Sequence, residues 1–305
     1  MIDSISVVMP VFEDGARALA AIRSLLTQDL PSDMLLEIVV VDDGSRDSTA
    51  TLIAGLTDER VELVRSAENR GRSEARNLGA RRARSPFLVF IDSDCMPATD
   101  RLLVEHAASL RMGAVASVGF VAGSGEGFWD RYQWDASLRR ERQFRNGCTY
   151  SGSSQNLAVL KSAFEEIGGF DTGFRNYGFE DRDLLLRLAD NGDIVWTRGA
   201  GVRHLDAVVL GAICRKMAES GETSAGRFAE RHPAAYRALG YAAFDCRRRP
   251  WLKPLASLLG PGMPRFAERI EPLLHMRWIP YPLRKGIVKL ASGLSFLYGT
   301  KRAAG

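Results

Sequence analysis

The chain has 305 residues, 46% hydrophobic and 26% charged, a balance that excludes a disordered or low-complexity polymer. No apolar run nears the ~20 residues that cross a bilayer as a helix, and four scattered cysteines without a CxxC pair exclude a zinc cluster and suit free thiols in a reducing compartment. The net charge of +4 conceals an asymmetry: residues 231–305 carry 14 Lys/Arg against 3 Asp/Glu, a balance of +11, so the first 230 residues sum to −7.

In chain order, the N-terminus has no basic stretch followed by an apolar one, and no secretory leader is expected. Residues 5–11 form a short apolar run ending in an acidic turn, and residues 16–28 carry Ala18, Ile22, Leu25 and Leu26 at helical spacing. Residues 37–41 are a β-branched run suited to a strand buried on both faces. Asp42-Asp43-Gly44-Ser45 ends it, and Asp47 or Ser48 caps a helix through residue 56. A strand at 61–65, a helix at 71–84 and a buried strand at 87–91 follow, then Asp92-Ser93-Asp94 and a strand at 114–121. Strands separated by helices imply right-handed crossovers and a mostly parallel α/β sheet, which binds ligands at the carboxyl ends of its strands. Residues 123–147 begin Gly-rich and turn aromatic and Arg-rich. A strand at 156–159, helices at 161–167 and 181–190 and a strand at 193–197 come next. Helices, broken by prolines, dominate from residue 206.

Three acidic clusters carry the chemistry. Asp92 and Asp94, two apart beyond a strand end, can aim at one Mn²⁺ or Mg²⁺ gripping a diphosphate, or form a solvated turn. The carboxylates of Asp42-Asp43 suit a base N–H or ribose hydroxyls, and the same residues suit a turn with an N-cap. Glu180, Asp181 and Asp183 open a helix, where the helix dipole alone favours acids, yet one carboxylate facing a cleft serves as a general base. His204 stands alone after the strand at 193–197.

Six segments in this order resemble glycosyltransferase family 2: SVVMPVFED at 6–14, IVVVDDGSRDST at 38–49, NRGRSEARNLGA at 69–80, FLVFIDSD at 87–94, GGFD at 168–171 and GFEDRDLLLR at 178–187. The resemblance spans about two-thirds of the chain. It implies a GT-A fold, a Rossmann-like nucleotide-diphospho-sugar transferase sheet with a C-terminal helical extension. The catalytic domain would be 1–205, with a nucleotide-sugar half at 1–122 and an acceptor half at 123–205, and the basic extension 206–305. It implies that Pro10, Val11, Phe12 and Glu13 line the nucleotide pocket with Phe12 stacked on the base. Asp43 would bind the base, and Arg72 or Arg76 would lie near base and diphosphate. Asp92, with Ser93, would meet ribose or sugar, Asp94 and His204 would hold the metal, and Asp181 would be the base of an inverting transfer. Glu180 and Trp134 fall on the acceptor side. The family often has Tyr-Asn where this chain has Phe12-Glu13; Phe keeps the stacking face, and Glu adds a charge.

The implied partners are a nucleotide sugar, with a UDP sugar favoured, and a glycan, lipid-linked or small-molecule acceptor of the kind used in cell-envelope polysaccharide biosynthesis. A nucleotidyltransferase would need a lysine- and glycine-rich loop after the first strand, and residues 10–15 hold no lysine. A non-catalytic sugar-nucleotide scaffold is disfavoured by the intact Asp94, Asp181 and His204. In the tail, Arg247-Arg248-Arg249-Pro250-Trp251 and residues 277–285 mix bases with Trp and Tyr. That mixture suits peripheral contact with an anionic membrane, equally a solvated helical face or an oligomer contact. The expected location is cytoplasmic, at the inner face of the membrane if the tail binds it. No nucleic-acid signature is present.

Overall fold

A computed structural model describes residues 3–259 and 262–304. It divides into two compact units, one of Met1–Glu126, Gln133–Thr172 and Asp181–Asp206, the other of Gly127–Tyr132, Gly173–Glu180 and Ala207–Gly305.

The first unit is built on an eight-stranded sheet. Its elements are β1 (Asp3–Val11), α1 (Gly15–Leu26), β2 (Met34–Asp42), α2 (Thr49–Ala54), β3 (Val61–Arg65), α3 (Arg72–Arg82), β4 (Phe87–Ile91), β5 (Cys95–Pro97), α4 (Leu102–Arg111), β6 (Ala116–Gly123), α5 (Phe128–Arg145, whose residues up to Tyr132 belong to the second unit), β7 (Asn156–Leu160), α6 (Lys161–Glu166), α7 (Glu180–Leu188, from Asp181 on) and β8 (Ile194–His204). The strand order is β3-β2-β1-β4-β7-β6-β8-β5. The pairs β1–β2, β1–β4, β2–β3 and β6–β8 are parallel, and β7 and β5 join antiparallel. Alternation explains the continuous apolar runs. Val7, Met9, Ile38, Val40 and Val89 face the layer holding Ala18, Ile22, Leu25 and Leu103. Val8, Val39, Val41, Leu88 and Phe90 face the layer holding Ala75, Phe164, Leu184 and Leu188.

Two strands differ from the sequence expectation. The strand expected at 193–197 runs on to His204, with a bulge where Gly119 pairs with Thr197 but Phe120 pairs with Gly201. Gly199 and Ala200 in that bulge gave no β-branched signal. β5 is three residues long, too short to show a period.

A polar chain fixes the bulge. The Asn156 amide donates to the carbonyls of Phe120 (3.2 Å) and Ala200 (2.8 Å), so its oxygen accepts from His106 Nε2 at 2.8 Å. His106 Nδ1 then accepts from Ser117 Oγ at 2.8 Å, which in turn receives Thr197 at 2.7 Å. Burial without a counter-charge pushes His106 down to about 4, against a weaker pull from Asn156, and keeps it neutral.

The second unit is helical. α8 (Leu210–Glu219) passes through a π-helical turn, Ser220–Ser224, into α9 (Ala225–Arg231), followed by α10 (Pro233–Ala238), α11 (Lys253–Leu259), α12 (Met263–His275) and α13 (Tyr281–Ala303). Apolar faces of α8, α12 and α13 share a core with Phe128 and Trp129, whose indole donates to Glu271 at 2.7 Å. α13 crosses the π turn backbone to backbone: a Cβ on Gly299 would strike the Ala218 carbonyl, and one on Gly221 the Phe296 carbonyl. The π turn also anchors the Gly173–Glu180 segment, since Ser224 Oγ donates to the Tyr177 carbonyl at 3.2 Å. Phe179 there adopts φ 71°, unusual for a bulky residue, and stacks on Phe228 at 4.7 Å. Among the described residues, no helix is long and apolar enough to cross a membrane.

Gly299→Ala should destabilise the chain by about 1–3 kcal/mol, because the neighbour is a carbonyl that cannot rotate away. Gly286→Ala, on the same helix with open space around it, should instead stabilise by about 0.5–1 kcal/mol. Urea melts of the two variants read both signs. Since the folded state holds His106 neutral down to about 4 while the unfolded chain protonates near 6.5, acid favours unfolding. Stability should fall by about 3 kcal/mol from this group as pH drops through that window, and His106→Gln should flatten that part of the profile.

Candidate active site

Parallel register brings the carboxyl ends of β1, β2 and β4 to one edge. Val11 pairs with Asp42, and Asp43 N donates to the Val11 carbonyl at 2.9 Å. Asp42 is fully buried; it accepts from Ser45 N at 3.0 Å and from Arg65 Nε at 3.2 Å. Asp43 accepts from the backbone N–H groups of Arg70 (2.9 Å) and Gly71 (2.8 Å), one on each oxygen. Each oxygen keeps a further lone pair. Gly44 takes φ 77°, and a Cβ there would lie 2.6–2.9 Å from the Glu68–Asn69 backbone. The turn is therefore pressed against the loop after β3. Between them lies a cavity of about 570 Å³ lined by Phe12, Glu13, Ser45, Arg46, Arg65 and Asn69, among others. Phe12 is 43% exposed, which leaves ring surface for stacking. Pro10 and Val11 pair within the sheet beneath it. The basic and amide residues of this cavity were not singled out from sequence; nothing in the pattern of 65–69 says which way that loop folds.

The second cluster follows β4. Asp92 Oδ1 meets Arg76 Nη2 at 2.5 Å, and the Arg76 side chain, 2% exposed, stacks 5.3 Å over Phe170. Arg76 thus reaches the site through Asp92 rather than by an open surface, whereas Arg72 is exposed at the start of α3. Ser93 Oγ donates to Asp14 at 3.1 Å, and Arg17 bridges Asp14 (2.6 Å) and Asp206 (2.9 Å). The β5–β8 pairing sets Cys95 against His204, and Leu205 N donates to the Asp94 carbonyl at 2.7 Å. This closes Asp94 Oδ2 to 3.3 Å from His204 Nε2. Burial works to raise the Asp94 carboxyl, but the His204 hydrogen bond and charge outweigh it and hold the group below the usual range. Burial works to lower His204, and Asp94 holds it above its ordinary value. His204 Nδ1 is buried without a hydrogen-bond partner among the described residues.

The third cluster resolves into different roles. Asp183 is fully buried and paired with Arg187 at 2.8 Å within α7. Glu180 is 4% exposed and closes the segment that belongs to the helical unit. Asp181 alone keeps partial exposure. It accepts from Ser154 Oγ at 2.5 Å and Ser153 Oγ at 3.2 Å. Those serines directly precede β7, and Asn156 pairs with Ile91, so they emerge beside Asp92 at the same sheet edge. Sequence reading missed Ser153, Ser154, Asp14, Arg17 and Asp206. The run SGSS before a strand was the one available signal. In the aromatic stretch, Trp129 and Phe144 are buried core, while Trp134 packs 4.7 Å from Phe120 and stays 46% exposed.

With this geometry in place, comparison with known proteins is specific. The family model described as Glycosyl transferase family 2 matches residues 6–168, and one described as N-terminal domain of galactosyltransferase matches 144–198. The succinoglycan biosynthesis protein ExoO of Rhizobium meliloti is 35% identical over 108 residues, 35% of this chain and 30% of its own. The uncharacterized glycosyltransferase YfnE of Bacillus subtilis is 25% identical, over 61% of this chain and 60% of its own. The chain thus spans between about a third and three-fifths of these relatives' lengths. Among solved structures, the mannosyltransferase PcManGT from Pyrobaculum calidifontis, in complex with GDP-Man and Mn²⁺, superposes with a TM-score of 0.64 at 17% identity, covering 96% of this chain and 85% of its own. GalNAc-T7 with UDP, GalNAc and Mn²⁺ gives 0.54 at 18% identity, covering 68% and 43%. These likenesses establish the GT-A fold. Because the matched model covers more than half of the chain, in the segments that supply the first two acidic clusters, the protein belongs to glycosyl transferase family 2.

Proposed function

We propose that the chain is a metal-assisted, inverting glycosyltransferase that moves a sugar from a nucleotide-diphosphate donor to an acceptor hydroxyl. The observation that carries this reading is the pair Asp94 Oδ2 and His204 Nε2, facing each other at 3.3 Å beside Asp92 at the carboxyl edge of the sheet. Two ligands at right angles on an octahedral cation, each at about 2.1 Å, stand ~3 Å apart. The pair therefore fits Mn²⁺ or Mg²⁺ with little movement. Among the described residues no set of three or more His, Cys, Asp or Glu side chains is arranged to hold a metal, and the Cys95 thiol, which donates to Asp94 Oδ1 at 3.6 Å, is a neighbour of the pair. That suits a cation which keeps one or two protein ligands and takes the rest from water and a diphosphate.

When bound, the cation would offset charge on the departing diphosphate. The chain's own residues do the remainder. Phe12 offers its ring to the base, and Asp43, Glu13 and Pro10–Val11 border it. Asp92, held by Arg76, accepts from ribose or sugar hydroxyls, with Ser93 beside it and Arg72 on the phosphate side. Asp181 accepts the acceptor's proton on a lone pair that the serines leave open, and its hydroxyl attacks the anomeric carbon opposite the leaving group. One displacement inverts the configuration. Trp134, half exposed, offers its ring to the acceptor, which we take to be a glycan or lipid-linked sugar. A UDP sugar is the favoured donor, in keeping with UDP in the GalNAc-T7 structure, while GDP-Man in the mannosyltransferase marks the alternative. The proposed location is cytoplasmic, at the inner face of a membrane if the basic tail binds one.

Asp181→Asn should cut turnover by about 10²–10⁴-fold while calorimetry shows donor binding within about twofold of the parent; near-normal turnover would remove Asp181 as the base. Asp94→Asn and His204→Ala should each raise the Mn²⁺ concentration for half-maximal activity by about tenfold or more. Donor affinity measured in EDTA should be the same in both variants as in the parent. An unchanged metal requirement would assign the cation elsewhere.

A further inference from the structure

The helical run of residues 250–259 turns the wrong side to water. A surface helix ordinarily keeps polar residues on its solvent face. Here Trp251 is 70% exposed, Leu255 45% and Leu258 84%. Leu255 and Leu258, three apart in α11, lie within ~60° of each other at about 100° per residue, and Trp251 stands in the 3-10 turn, Pro250–Leu252, that leads into this helix. Pro254 and Ser257 complete the exposed arc, and the Ser257 hydroxyl is turned back onto the Lys253 carbonyl at 2.8 Å. The buried arc is satisfied separately, with Leu252 and Ala256 packed on Cys246 and Leu297. The exposed apolar arc is therefore surplus to the core.

Its rim is basic. Arg248 and Arg249 are exposed immediately before it, and Lys253 donates to the Ala304 carbonyl at 3.0 Å, just past the end of α13. Between residues 232 and 267 the one acid is Asp245, which is buried and held by Arg247 at 2.9 Å and by Tyr236. No carboxylate from that stretch reaches the rim. A second copy of this face would bring like charges together, whereas an anionic lipid surface complements both features. Trp and Leu enter the headgroup boundary and the bases meet lipid phosphates.

We propose that Trp251, Leu255 and Leu258, rimmed by Arg248, Arg249 and Lys253, form a docking face for an anionic bilayer, with the helix lying in the membrane interface. The inference is independent of the assignment of Asp181 and of the metal pair.

Co-sedimentation of the full chain with vesicles tests it. The parent should pellet with vesicles of phosphatidylcholine and phosphatidylglycerol, and not with phosphatidylcholine alone. Release should follow added salt. Trp251→Ser/Leu255→Ser/Leu258→Ser should lower the partition coefficient by about tenfold or more, with melting temperature and turnover on a soluble acceptor unchanged. Arg248→Gln/Arg249→Gln should lower it by about fivefold per charge removed. Equal partitioning of the triple variant, or a parent that binds neither vesicle, overturns the proposal. So does a parent that sediments as a dimer while the triple variant is a monomer, which would make the face a contact between copies.

Discussion

Negative charge gathered at one sheet edge has to be balanced there, and the first unit is arranged around that requirement. Asp42, Asp43, Asp92, Asp94 and Asp181 all lie at or just beyond the ends of β2 and β4 or beside the start of β7. Each has a different counterweight: a surface arginine for Asp42, backbone N–H groups for Asp43, a buried arginine for Asp92, an imidazole for Asp94 and two hydroxyls for Asp181. The counterweights differ in how readily they are displaced. Arg76 is buried and sandwiched on Phe170, so Asp92 is held rigidly. The imidazole on Asp94 and the hydroxyls on Asp181 are neutral-capable partners that can yield to a cation or a substrate hydroxyl. The binding of a charged donor and release of a charged product that we propose would draw on both kinds.

Much of the first half was legible from sequence because its signals are local. β1, β2 and β4 announce themselves as apolar runs, and each ends in an acidic or glycine-containing turn. Asp94 and Asp181 could be picked out by their place in an ordered set of segments. The rest depends on tertiary register. Nothing local tells that Ser153 and Ser154 approach Asp181, since that contact arises only once β7 pairs with β4 and α7 packs behind it. Arg76 shared one expectation with Arg72, a place near base and diphosphate, and only the depth of α3 against the sheet shows it as a buried partner of Asp92. His106 was not singled out from sequence, because its hydrogen-bond chain crosses from α4 to β6 and β7.

The helical unit was read mainly by composition, with one apolar-faced helix expected at 287–298, inside what is α13, and composition gave its charge but not its surface. Alternation of prolines and short helices has no single period. The π turn, with its i→i+5 bonding, does not follow a 3.6-residue pattern, and the glycines beside it reflect a backbone crossing: Gly221 and Gly299 let α13 sit against Ser220–Ser224. The aromatic cluster that holds Phe179 in a left-handed conformation comes from residues far along the chain, Phe228, Tyr236 and Tyr241. These contacts hold residues 173–180 within the helical unit.

The bulge in β8 works as a spacer with a fixed count. Pairing steps from Gly119–Thr197 to Phe120–Gly201, so three residues of β8 are looped past the ladder. With them, His204 lies opposite Gly123 and beside Cys95. Extended in its earlier register, the same strand would set Gly201 at that address, and the odd offset would turn its side chains to the other face. The imidazole's position is thus encoded as a length as much as an identity. Insertions or deletions within 198–200 would act on the site as substitutions do, though no residue there touches it.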